Sequence, residues 1–241
     1  MKINKKVMCF ALIFVVALTL VGCVKNNVQQ TITDISQLNG HKIGVVTGTI
    51  LDVMTDENIE NARKEYFETY SDLIIGLKQG KVSAYLTDEP IARVQCAEQK
   101  GIRYLEEYIS HDDYAFAFSK TERGGALRDC FNEYLSEIRA DGTLKEIEDK
   151  WFGDDESAKN VAYPASSGSA GMLRFITTGD VAPFSYVKDE KIVGYDIDVL
   201  CRFCEKYGYG LEISDATMAA IIPALVTEKA DLAACCITVT E

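Results

Sequence analysis

Ala182-Pro183-Phe184-Ser185-Tyr186, followed by Ile192-Val193-Gly194-Tyr195-Asp196-Ile197-Asp198, is the stretch that decides the fold. An apolar strand from Leu173 runs into the break at Pro183, and a second strand ends at Gly194. A helix then opens at Asp196 with Ile197, Leu200, Cys204 and Tyr207 on one stripe. Strand, helix and strand follow. The same alternation runs upstream. Residues 42–47 read as a buried strand, and Thr47-Gly48-Thr49 is a turn into a helix from Ile50. Ser71 is positioned to cap a helix carrying Leu73, Ile74 and Leu77, which Gly80 stops. Residues 82–87 form a strand, and the next helix has Pro90 in its first turn and Gly101 past its end. Residues 114–118 alternate as a strand before a helix over 126–140 and a shorter one with Leu144, Ile147 and Trp151. Strands alternating with helices predict an α/β fold of mixed, mostly parallel sheets flanked by helices.

Residues 153–171, rich in Asp, Ser, Gly and Ala, divide the pattern as a linker. A faint echo crosses it: Ile74-Ile75 to Leu77 and then Gly80-Lys81-Val82-Ser83-Ala84 parallels Ile221-Ile222 to Leu225 and then Lys229-Ala230-Asp231-Leu232-Ala233. Two similar lobes would produce such an echo, and so would chance.

The first residues bear on compartment. Lys2, Lys5 and Lys6 precede an uncharged apolar run over residues 7–21, the length of a signal-peptide core and short of the about 20 residues of a membrane span. Leu20-Val21-Gly22-Cys23 resembles the bacterial lipobox, which implies a signal peptide over 1–22 and a lipidated Cys23. Residues 23–34 then serve as a tether, and the protein sits at the extracytoplasmic face of the cell membrane, anchored by fatty acyl groups such as palmitate. Composition fits a folded body, with 47% hydrophobic and 26% charged residues. The formal charge is −12. Loss of three signal-peptide lysines makes it more negative still, which argues against nucleic acid as a partner.

Eight cysteines in an exported chain raise the question of disulfides. Cys130 falls on an apolar helical stripe, Cys235-Cys236 in a strand, and Cys201-x-x-Cys204 inside a helix without a second Cys or His pair. Buried free thiols are the better reading, with no metal site. His41 and His111 lack a nucleophile or metal partner in sequence, so no catalytic residue is assigned. His111-Asp112-Asp113 reads as a solvated turn.

The chain resembles bacterial extracellular solute-binding proteins of family 3, the amino-acid receptors of ABC importers, in two parts. Ser36-Gln37-Leu38-Asn39-Gly40, Asp88-Glu89-Pro90-Ile91-Ala92 and the run from Ala140-Asp141-Gly142-Thr143-Leu144-Lys145 to Trp151-Phe152-Gly153 resemble the second lobe and closing helix. Pro183-Phe184, Gly194-Tyr195-Asp196-Ile197-Asp198, Ile222-Pro223-Ala224-Leu225 and Ile237-Thr238-Val239-Thr240 resemble the first lobe. The resemblance implies type II periplasmic-binding-protein-like lobes: a second-lobe segment at 35–153, a linker at 154–171 and a truncated first-lobe segment at 172–241. The order is inverted, as in a permuted receptor or a piece of a tandem one. It also implies an ABC permease as partner, an amino acid as ligand, and no cofactor.

A free amino acid is a zwitterion, whose ammonium wants a carboxylate and whose carboxylate wants an Arg and helix-terminal N–H groups. By the resemblance Asp88 takes the ammonium, and Thr49, Phe184, Met218 and Thr238 complete the site, while the expected Arg lies beyond Glu241. Read as residues alone, Asp88 equally suits a helix cap, Thr49 a turn hydroxyl and Thr238 a strand threonine. Val181 and Met218 stand where the family often has an aromatic, and Ile50 where a second hydroxyl is common. Three functions remain open: a receptor, a surface lipoprotein that has lost its ligand and serves as a sensor or interaction module, and, least supported, an enzyme.

Overall fold

Ile43, Gly44, Val45 and Val46 are all buried, so their strand needs cover on both faces. It has it. In the computed structural model, which describes residues 32–165 and 168–240, β1 (Lys42–Val46) lies between β2 (Arg63–Phe67) and β3 (Ala84–Tyr85), parallel to both. Helices α1 (Leu51–Asn58) and α2 (Tyr70–Lys78) make the crossovers that parallel pairing requires. Thr69, not Ser71, caps α2: its hydroxyl accepts from the Asp72 amide at 3.0 Å. Strand β2 has no counterpart in the sequence reading. It is an edge strand of Arg-Lys-Glu-Tyr-Phe with no fully buried residue, so it carries no apolar alternation. Lys64 on it instead pairs with Asp52 at 2.6 Å and Asp56 at 2.7 Å.

After α3 (Glu89–Glu98) the chain enters a second sheet through β4 (Ala117–Phe118) and lays two helices on it, α4 (Glu122–Ala140) and α5 (Thr143–Phe152). Helix α4 starts four residues ahead of the sequence expectation. Gly124 and Gly125 do not stop it, because Thr121 accepts from the Gly124 amide at 3.0 Å and Leu127, Phe131 and Tyr134 are buried beyond. Thr121→Ala is expected to cost about 1 kcal/mol, read as a lowered urea midpoint with an unchanged slope.

Past the linker come β5 (Met172–Thr177), the meander β6 (Asp180–Val181), β7 (Ser185–Lys188) and β8 (Lys191–Val193), then α6 (Tyr195–Tyr207), β9 (Gly210–Asp215), α7 (Met218–Val226) and β10 (Leu232–Ala233). The second sheet runs β4-β10-β5-β9, with β5 parallel to β9 and β10, and β4 antiparallel at the edge. The meander is antiparallel. The fold is therefore mixed α/β with mostly parallel main sheets flanked by helices. The opening motif acquires a physical reason here. Gly194 has φ 142°, and a Cβ there would strike the Phe184 carbonyl, so the strand-to-helix corner admits only glycine.

One core joins elements from both sides of the linker: Leu127, Phe131, Tyr134, Ile147 and Trp151 pack with Leu173, Phe175, Ile197, Leu200 and Phe203. Asp198 fastens it. Its buried carboxylate accepts from Lys150 Nζ at 2.7 Å, Trp151 Nε1 at 2.9 Å and Arg202 Nε at 3.1 Å. Burial pushes the carboxyl up, but those three donors outweigh it and hold it below the usual carboxylate range.

Some expectations are corrected. Of residues 82–87 only Ala84–Tyr85 pair, and of 114–118 only Ala117–Phe118, with Tyr114 making a single bridge to Thr238. Cys235 and Cys236 are not in a strand; they occupy a bend after β10, with φ 143° and 49°. Cys201 and Cys204 are buried free thiols, and burial drives the Cys204 thiol up to about 12. Among the described residues no helix is long and apolar enough to cross a membrane. The signal peptide and Cys23 lie outside the described residues.

Candidate functional site

The small sheet and the large one meet through an apolar cluster in which Val46, Tyr70, Leu73 and Ile91 pack with Val181, Ile221, Ala224 and Leu225. Two polar or backbone contacts reinforce it. The Tyr70 amide, at the open N-terminus of α2, donates to Asp180 Oδ2 at 2.9 Å, where the helix dipole favours a carboxylate. Gly48 abuts the start of α7 so closely that a Cβ on it would lie 2.5 Å from Ala219 Cα. Its φ is +87°. Gly48→Ala is expected to wedge this contact apart and raise the radius of gyration in small-angle scattering. Gly80→Ala is the control, because Gly80 has φ +69° and nothing within 4 Å. Both variants carry about 1–2 kcal/mol of left-handed backbone strain, so a difference between them reports the contact alone.

Between the sheets lies a cavity of about 170 Å³. Its size is that of a void which takes up benzene, about 150 Å³. Four of the five residues expected from sequence line it: Thr49 from the turn after β1, Asp88 from the start of α3, Met218 from the start of α7 and Thr238 past β10. Phe184 does not. It is buried behind the wall, edge-on to Tyr114 with ring centroids 5.6 Å apart.

Asp88 occupies the N-cap position of α3, yet its side chain makes no capping bond to the helix. Its Oδ1 accepts from the Tyr114 hydroxyl at 2.5 Å instead. Burial raises its pKa, and nearby Asp112 adds to that, against the lowering effect of the Tyr114 bond. Thr49 keeps its local role as well, donating to the Val46 carbonyl at 2.8 Å while facing the cavity. With its hydrogen donated, the hydroxyl oxygen can still accept from a ligand donor.

Several wall residues escaped the sequence reading. Tyr70 and Asp112 line the cavity, as do Cys235 and Cys236. Asp112 looked like part of a solvated turn; only the tertiary approach of its loop, bonded through Ala115 N–H to Ile237 O at 2.9 Å, brings it to the site. Asp196, in the quoted Gly-Tyr-Asp motif, is buried with Oδ2 unpartnered among the described residues, and burial alone pushes its carboxyl up to about 8. Among the described residues no group of three or more His, Cys, Asp or Glu is arranged to hold a metal ion.

Residues 173–241 match the model for bacterial extracellular solute-binding proteins, family 3. Curated relatives include the L-cystine-binding protein TcyJ of Escherichia coli (strain K12), 28% identical over 142 residues, covering 55% of this chain and 49% of the relative. The probable amino-acid-binding protein YxeM of Bacillus subtilis (strain 168) is 24% identical over 127 residues, 52% of this chain and 48% of that one. The chain thus spans about half the length of these relatives. Among solved structures, the L-cystine solute receptor of Neisseria gonorrhoeae in its unliganded open conformation matches 28% of this chain and 29% of its own at 31% identity, with a TM-score of 0.27.

Proposed function

We propose that this chain is the solute-binding component of an amino-acid importer of the ABC class, held outside the membrane by a lipid on Cys23. One observation carries the reading: the Asp88 carboxylate, placed to cap a helix, leaves the helix uncapped and lines a cavity that elements of both sheets enclose. A carboxylate in that position is suited to a ligand ammonium. The names of the relatives, which describe binding proteins for cystine and other amino acids, support the same class. Groups on two bodies that a ligand bridges give it a larger affinity for the closed arrangement, which is the signal a permease partner can read.

Titration calorimetry of the full chain against the twenty common amino acids and cystine tests this. At least one should bind with measurable heat; silence across the whole set overturns the proposal. One observation favours a second reading. The cluster between the sheets is apolar and buried, with Tyr70 and Ile221 at 3% and 1% exposure, a packing also expected of a body that stays shut and serves as an interaction module.

A further inference from the structure

Much of the cavity wall is apolar, in contrast to Asp88 and Asp112, which also line it. Ile50 and Leu51 come from the turn into α1, Val181 from β6, Met218 and Ile222 from α7, and Ile237 from the segment after β10. Six aliphatic or thioether side chains from four separate places thus converge on about 170 Å³. Three of them, Ile50, Val181 and Met218, are the positions where the chain departs from the polar or aromatic residues expected by resemblance. Val181 comes from the meander, Met218 from the start of α7 and Ile50 from the turn after β1, and all three line the same cavity. The acids Asp88 and Asp112 also line the cavity, near enough to each other that Asp112 adds to the rise in the Asp88 pKa.

We infer that the cavity selects an amino acid with a small aliphatic or thioether side chain, its ammonium at the Asp88 end and its side chain against Ile50, Val181 and Met218. The inference rests on the amino-acid reading above and narrows it. A polar or charged side chain on these walls would leave its water bonds unreplaced, which burial penalises. An apolar pocket discriminates by about 10–200-fold for each methylene gained or lost, so selectivity within the aliphatic set should be graded rather than absolute.

The test is competition calorimetry on the full chain with L-leucine, L-isoleucine, L-valine and L-methionine against L-serine, L-glutamine, L-glutamate, L-lysine and L-arginine. The aliphatic and thioether group should bind at least about tenfold tighter. Met218→Gln, close in volume and at a half-buried position, should erase that preference while circular dichroism stays unchanged. Equal or tighter binding of serine, glutamine, glutamate, lysine or arginine overturns this inference and leaves the amino-acid reading standing. A preference that survives unaltered in Met218→Gln removes the assigned wall. No binding by any amino acid overturns both.

Discussion

Asp198→Ala should lower the folding free energy by about 3–5 kcal/mol, read as a fall in the urea midpoint at constant slope. The carboxylate is nearly enclosed, with 5% of its side chain exposed, and its removal strands the Lys150 ammonium at 19% exposure and the wholly buried indole N–H of Trp151. Lys150 can turn partly toward water, so the lower end of the range is favoured. Asp198→Asn, which keeps an oxygen for the indole, should lose less. The pH dependence has a definite sign. The folded pKa is depressed, so the contribution is fully present above the unfolded value of about 3.9 and vanishes as pH falls through the lower folded value. An acid-denaturation profile in which Asp198→Asn matches the parent below that window, and falls short of it above, is the expected pattern.

Asp88→Asn should weaken amino-acid binding by about two orders of magnitude or more, since removing one member of an enclosed ion pair costs about 3–5 kcal/mol and 1.4 kcal/mol is tenfold. The amide retains an oxygen for the Tyr114 hydroxyl, so the local structure has a reason to persist and the charge alone is removed. Calorimetry on both proteins reads the ratio; equal affinities would separate Asp88 from the ligand. Acidification should mimic the substitution. Because burial lifts the Asp88 pKa in the free protein, its charge is lost at a higher pH than that of an exposed carboxylate, and affinity should fade correspondingly early.

Much of this was legible in the amino-acid order because the physics was local. A strand buried on both faces, such as Ile43 to Val46, announces itself as an unbroken apolar run. The Gly194 corner depends on backbone geometry that only glycine satisfies. Strand β2 was illegible because an exposed edge strand is held by main-chain pairing to β1 and by ion pairs, neither of which imposes a period on its side chains. Ser71 and Thr69 are both competent caps two residues apart, and only the surrounding packing chooses between them. At the site, Thr49, Asp88, Met218 and Thr238 were found through ordered motifs, whereas Asp112, Tyr70 and the Cys235-Cys236 bend depend on contacts between distant segments. Phe184, expected at the site by resemblance, is not among the residues that line the cavity.

The core that unites Trp151 and Phe131 with Phe175 and Phe203 has a consequence for how the polypeptide can be divided. Neither stretch flanking the Ser- and Gly-rich connection holds a complete hydrophobic interior, so each is a half that needs the other. A protease nick in that connection would leave two peptides clasped around a shared centre, with the indole and ammonium of one gripping an aspartate of the other. Covalent continuity there serves to keep the halves at high effective concentration, and the grip itself is noncovalent.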